Sequence, residues 1–131
     1  MTAERGSVSI LMVAGALLLS LSSLAVADLG SMLLARARAQ QAADAAALAA
    51  VVEQAPILGE GNDPEGAARD AAERNGATLV SCSCDVGSPD ATIDVEVVPR
   101  VGFLLGWRGR KARAGAHAHL DDDVFSYRES P

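Results

Sequence analysis

The sequence has few aromatic residues, few cysteines and few histidines. Only 3% of its 131 residues are aromatic although half are hydrophobic, so Ala, Leu and Val supply most of the apolar surface. Two cysteines are too few for a disulfide framework. The sequence also contains no G-x-S-x-G, no H-E-x-x-H and no phosphate-binding glycine loop. These absences argue against an enzyme, and we expect no cofactor and no small-molecule substrate.

Charge is missing from one long segment, and the rest of the chain is acidic. The formal net charge is −6, and Glu4 and Arg5, the only charged residues before the uncharged segment, cancel each other. The whole acidic excess therefore follows that segment. Because an acidic surface repels the phosphates of nucleic acids, we expect no nucleic-acid partner.

The uncharged segment covers residues 7–27 and reads SVSILMVAGALLLSLSSLAVA. A helix of this length measures roughly 31 Å, which matches the hydrocarbon core of a bilayer. Gly15 and the serines allow a neighbouring helix to approach closely. We predict a transmembrane helix over 7–27, after a short head over 1–6, with the lipid bilayer as a partner. The alternative is a signal peptide cleaved after Ala27, which would release a secreted binding module.

A second helical segment, an Ala-rich extension over 28–55, follows the apolar one. It is dominated by Ala, Leu, Arg and Gln, which are strong helix formers, and a proline follows it. We expect Gln40 and Asp44, four residues apart, to form a hydrogen bond on its surface. Residues recurring at helical spacing predict its apolar stripe: Ala45, Leu48 and Val52.

The remaining sequence predicts a loop over 56–66, a small domain over 67–120 and a polar tail over 121–131. The domain begins with a short helix over 67–75, for which Asp63 is the expected N-cap and Gly76 the stop signal. Strand patterns follow at 77–84, 91–99 and 112–120. The predicted fold class is α+β: a long N-terminal helix, one short helix and about three antiparallel strands.

Two pairs of metal-binding residue types lie on predicted strands. Cys82 and Cys84 point to one face of the first strand, and His117 and His119 point to one face of the third. If those strands were neighbours, a Cys₂His₂ zinc site would be possible, and the chain would be a metal-binding envelope protein. The spacing fits no usual zinc-finger pattern, so our preferred interpretation has no metal site. The cysteines are then half-buried strand residues, or an exported disulfide to each other or to a partner.

The order of a short head, an apolar helix, Asp28 and an Ala/Gln/Asp-rich helix resembles the N-terminal segment of TadE/TadG-like Flp pilus-assembly proteins. Those proteins are pseudopilin-like components of the tight-adherence (Tad) secretion system. The stretches that carry the resemblance are ERGSVSILMVAGALLL, VADLG and RARAQQAADAAALAA. The C-terminal part, with its cysteine pair, looks like the short TadE-like proteins of high-GC actinobacteria. Our candidate residues for the family motif and for helix packing are Arg5, Gly6, Gly15, Asp28, Arg36, Gln40, Ala43, Asp44, Ala46 and Ala47.

The resemblance implies a non-catalytic, single-pass membrane protein that is a minor or assembly component of a Tad (Flp) pilus or a related secretion apparatus. Its helix would pack through Gly15, the serines and the alanine faces against other pilin-like or secretion-system membrane proteins. The resemblance also implies a cytoplasmic N-terminus and an exported C-terminal domain. Pilin-like proteins are cleaved after a Gly and carry a Glu five residues on. Here Leu11 stands at that distance from Gly6, so the chain departs from the pattern for cleavage after Gly6 and for docking through the Glu. Because the TadG-like branch that it resembles keeps its anchor, the resemblance implies an uncleaved membrane helix.

Overall fold

The computed structural model of the chain describes residues 4–55, 62–99 and 109–121, with side chains from Val8 onward. The first element is a single helix, α1 (Glu4–Gln54), of 51 residues and roughly 76 Å. No proline interrupts it. Ser20, Ser22 and Ser23 donate their hydroxyl hydrogens to backbone carbonyls four residues earlier, at 2.8–2.9 Å. These serines therefore satisfy their polar groups within the helix, and the predicted long helix is confirmed.

The short helix α2 (Pro64–Arg74) begins directly after the predicted N-cap and includes three residues before the predicted stretch 67–75. Its N-cap is Asp63, whose Oδ1 accepts a hydrogen bond from the backbone N–H of Gly66 at 2.8 Å. Gly76 follows the C-terminal end with a φ of 73°, a conformation that glycine adopts without a steric cost. The predicted cap and stop residues are therefore confirmed.

The three strands are β1 (Thr78–Cys84), β2 (Asp90–Val97) and β3 (Ala112–His119), and they form one antiparallel sheet in the order β1-β2-β3. The register pairs Cys82 with Ile93 and Ile93 with Ala116. Alternate side chains of β2 are buried, so the inner face of the sheet carries Ile93 and the outer face carries its polar neighbours. The α+β fold class is confirmed.

The inner face of the sheet is covered by α2 and by the second half of α1. The second half of α1 contacts β2 and β3, while α2 contacts β1 and also packs on α1. Ile93 is the largest fully buried side chain. The buried stripe of α1 consists almost entirely of alanine: Ala35, Ala39, Ala42, Ala43, Ala46, Ala47, Ala50 and Val51. Small side chains on this stripe allow the helix to lie close to the sheet and to α2.

The apolar stripe predicted from Ala45, Leu48 and Val52 is therefore wrong. Leu48 is 60% exposed, and Ala45 and Val52 lie only at the margin of the core. The prediction followed the helical spacing of apolar residues and took no account of their size. Here the close approach of three other elements selects the smallest ones.

The C-terminal end of α1 is held against the β1–β2 turn by Gln54, which is fully buried. Its Nε2 donates to the carbonyl oxygens of Asp85, at 2.9 Å, and Asp90, at 3.3 Å. Its Oε1 has no hydrogen-bond partner among the described residues. The turn is thus tied to the helix by an amide that sequence periodicity does not single out.

Candidate membrane anchor and assembly surface

The first half of α1 lies outside the folded domain. Its most apolar stretch has a mean hydropathy of 2.3, and none of that stretch is buried within the chain. The helix is therefore long and apolar enough to cross a membrane, by length and composition. The large apolar side chains that it exposes before Asp28 are Val8, Ile10, Leu11, Met12, Val13, Leu17, Leu18, Leu19, Leu21, Leu24 and Val26.

Gly15 has no side chain and interrupts the large apolar side chains of this exposed half. A Cβ added at Gly15 would meet no atom within 4 Å apart from the helix itself and the adjacent residues. Ser22 and Ser23, about two turns further on, are exposed and bond only to their own helix in the described structure. This flank of α1, around Gly15, is not covered by any other part of the described structure.

Asp28 lies where the environment of α1 changes. Its side chain is only 2% exposed, whereas Val26 and Leu29 on either side remain largely exposed. The Oγ of Ser31 donates to the backbone carbonyl of Asp28 at 2.8 Å. Asp28 is therefore the first buried residue of α1 among those whose side chains are described, seven residues before Ala35, the first α1 residue of the alanine core.

Three polar residues of the family motif lie on the exposed side of the extension. Gln40 Nε2 donates to Asp44 Oδ1 at 3.0 Å, so the predicted surface hydrogen bond is confirmed. The same amide also approaches the carbonyl oxygen of Gly115 on β3, at 3.5 Å. Arg36 is exposed and forms no ion pair with any described residue. Arg5 and Gly6 belong to α1 but lie before the first residue whose side chain is described.

Ala43, Ala46 and Ala47 are packing residues, but their partners differ from those we expected. They are 0–1% exposed and belong to the core shared with α2 and the sheet. The expectation that these alanine faces pack against neighbouring proteins is therefore wrong for these three residues. Their surface is already occupied by the chain's own domain, whereas the span before Asp28 is exposed on all sides in the described structure.

The structure does not bring the four candidate zinc ligands together. The central strand β2 separates β1 from β3, so the condition for the site is not met. Cys82 pairs with buried Ile93, whereas His117 pairs with exposed Thr92, so cysteines and histidines occupy opposite faces of the sheet. Cys82 and Cys84 form a disulfide with each other, with their Cα atoms 5.4 Å apart.

The histidines instead share a carboxylate that the sequence analysis did not connect with them. His117 Nε2 and His119 Nδ1 lie 3.2 and 2.9 Å from Asp90 Oδ1, on the outer face of the sheet. Further along the outer face of β2, Asp94 accepts a hydrogen bond from Ser81, and Glu96 pairs with Lys111. These contacts depend on the register of the strands, so the sequence of a single strand does not indicate them.

These features define a class of protein: a small α+β domain built on the second half of a helix whose first half could cross a membrane. Residues 6–55 match a protein-family model described as putative Flp pilus-assembly TadE/G-like. The chain therefore carries a TadE/G-like Flp pilus-assembly segment, and the resemblance that its sequence showed is confirmed. No curated protein and no solved structure gives a significant match.

Proposed function

We propose that this chain is a non-catalytic, single-pass membrane protein and a minor or assembly component of a Tad (Flp) pilus or a related secretion apparatus. One observation carries the proposal. The family match over residues 6–55 coincides with α1, whose first half is apolar and uncovered while its second half forms the core of a domain. An anchor rigidly joined to a domain suits a protein that positions other subunits at a membrane.

The proposed topology has the short N-terminus in the cytoplasm and the α+β domain exported. The disulfide between Cys82 and Cys84 supports export, since disulfides persist in oxidising compartments. The anchor is retained in this proposal, because α1 runs through Ala27 and Asp28 without a break. Removal of the anchor would leave the alanine core intact but would release the domain from the membrane.

Association with other membrane proteins would use the flank of α1 around Gly15. In lipid, apolar side chains gain nothing by leaving the hydrocarbon, so helices associate where small residues allow close backbone contact. Gly15 offers such a point on the described surface of the span. The partners in this proposal are other pilin-like or secretion-system membrane proteins.

The test uses the intact chain with an affinity tag after Pro131, expressed in its own cell with a phosphatase reporter fused in parallel at the same position. We expect a full-length membrane-bound chain, an active reporter, and co-purification of pilus-assembly proteins. Gly15→Leu should lower that co-purification by about tenfold, which corresponds to about 1.4 kcal/mol, because the added side chain prevents the close approach of the two helices.

Val13→Leu serves as the matched control, since Val13 lies on nearly the opposite side of the helix and is already large. It should leave co-purification unchanged. A mature chain that begins at Asp28 and is found in the medium would contradict the proposal and support the secreted alternative. Equal losses for the two variants would exclude a specific contact at Gly15.

A further inference from the structure

One groove of the folded domain concentrates positive charge on an otherwise acidic protein. Arg38 on α1 and Arg74 at the end of α2 line the same groove, of about 410 Å³, together with Gln41 and the chain that follows β2. Neither arginine forms an ion pair within the described part of the chain. Asp70, one helical turn before Arg74, does not bond to it either. Two arginines that have no ion pair among the described residues therefore line the same groove.

This groove continues into a smaller apolar one, of about 210 Å³, nearer to the span. Arg38 and Val98 line both grooves, and Leu34 lines the smaller one. Leu34 and Val98 are more than half exposed. We name the combined surface the juxtamembrane groove. It has an apolar end close to the span and a cationic end further out.

We propose that the juxtamembrane groove binds an acidic segment of a partner protein anchored in the same membrane. A carboxylate of that segment would lie between Arg38 and Arg74, and an apolar side chain beside it would contact Leu34 and Val98. Guanidinium groups bind carboxylates through two parallel hydrogen bonds, which gives both affinity and orientation. The proposal rests on the proposed function, because only an anchored chain holds this groove at a defined distance from the bilayer.

That distance favours a protein over a lipid headgroup. Arg38 follows Ala27 by eleven residues, which is roughly 16 Å of helix. Side chains lean towards the helix N-terminus, by roughly one turn for a long side chain, so the guanidinium would lie about 11 Å from the hydrocarbon. The headgroup region is only roughly 5–8 Å thick on each side. A lipid phosphate would therefore lie closer to the centre of the bilayer than the guanidinium group of Arg38.

The chain's own acidic run starts too far away to be the occupant. It begins at Asp121, just after Leu120, whose backbone N–H donates to the carbonyl of Pro89 at 2.8 Å. That contact lies at the β1–β2 turn, whereas the groove lies near Val97 at the opposite end of β2. The eight residues of β3 separate the two ends by roughly 26 Å.

The experiment uses the full chain in phosphatidylcholine nanodiscs and two labelled synthetic peptides of alternating sequence. One peptide contains leucine and glutamate, and the other contains leucine and glutamine. Fluorescence anisotropy should show the glutamate peptide binding at least about tenfold more tightly. The double variant Arg38→Gln/Arg74→Gln should remove that difference in affinity. Arg74→Gln alone should remove most of it. Arg74 is exposed, so its substitution does not disturb the core.

Arg36→Gln is the matched control, because Arg36 lies on the opposite side of the same helix and carries the same charge. It should change the affinity by less than about twofold. An equal loss with Arg36→Gln would overturn the proposal in favour of unspecific attraction. Displacement of the peptide by millimolar phosphate, or by phosphatidylglycerol in the nanodisc, would overturn it in favour of a phosphate ligand.

Three other outcomes would also contradict one of the two proposals. If sedimentation shows that the chain self-associates and that Arg74→Gln abolishes this, the occupant is a second copy, and the proposal is wrong. If neither peptide binds while the chain remains membrane-bound and co-purifies with pilus-assembly proteins, the groove proposal fails alone. Loss of membrane attachment itself would instead contradict the proposed function.

Discussion

At the scale of single residues, the small size of alanine allows α1 to pack closely against α2 and the sheet. Each fully buried alanine of α1 buries only a methyl group. These residues therefore stabilise the fold mainly by allowing close contact between α1 and its neighbouring elements. Ala42, Ala46 and Ala50 face the chain's own domain with no measurable exposure. A larger residue at such a position has no space, whereas a large residue such as Leu48 is tolerated on the exposed side.

Ala46→Leu should destabilise the domain by about 1–3 kcal/mol or more, because overpacking a dense core displaces its neighbours. The free energy of unfolding, measured by chemical denaturation of the detergent-solubilised chain, provides the test. Leu48→Ala is the control and should change it by no more than about 0.5 kcal/mol, since Leu48 is 60% exposed. If Leu48→Ala proved the more damaging variant, the inward face of α1 would be the one that the sequence pattern first indicated.

A second residue-scale prediction concerns Gln54. Gln54→Glu would place a carboxylate 2.9–3.3 Å from two carbonyl oxygens in a fully buried position. Burial and the carbonyl dipoles would raise the pKa of the new carboxyl in the folded state. The folded protein then holds the proton more strongly than the unfolded chain, whose pKa is about 4.3. Stability should therefore be greatest below that pH and fall as the pH rises through the raised folded pKa.

Unfolding midpoints measured between about pH 4 and 8 test this. At neutral pH the loss should reach about 3 kcal/mol, the cost of a buried unpaired charge. Gln41→Glu makes the same chemical change at an exposed position of the same helix and should show no comparable pH dependence. A flat pH profile for Gln54→Glu would mean that the end of α1 opens readily and that the amide does not hold the β1–β2 turn.

At the scale of elements, α1 has two different surfaces along one continuous backbone. Before Asp28 its apolar side chains are exposed in all directions, and after Asp28 one side is covered by α2, β2 and β3. The strand order places β2 in the centre, so the cysteine strand and the histidine strand never meet. An element's neighbours, rather than its own composition, thus decide which candidate sites can form.

At the scale of the whole molecule, we expect the exposed leucines of α1 to have different roles before and after Asp28. Leu17→Arg/Leu18→Arg places two charges in the middle of the span, where each costs about 2.5–3.5 kcal/mol on insertion. We expect most of this variant to be extracted from membranes by alkaline carbonate, while the unaltered chain is retained. The measurement is the fraction of chain left in the membrane pellet.

Leu48→Arg is the control for this prediction, because Leu48 is as exposed as Leu17 and lies on the same helix. Leu48 is more than 20 residues beyond Ala27, roughly 30 Å of helix, so its substitution should leave the chain in the pellet. Extraction of Leu48→Arg together with the double variant would show that the boundary of the span does not lie near Asp28.

The sequence by itself determined the elements. The length of α1, the cap at Asp63, the inward alternation of Ile93 and the contact between Gln40 and Asp44 were all predictable, because each depends on residues close together in the chain. The family segment was recognisable for the same reason, since its motif lies within one helix.

Only the tertiary structure decided which faces meet. It turned the alanines of α1 inward, placed Gln54 on the β1–β2 turn, joined His117 and His119 to Asp90, and brought Arg38 and Arg74 into one groove. These contacts join residues distant in the chain. Periodicity shows that a helix or strand has two unlike sides, but the approach distance between elements depends on the shapes of all the partners at once.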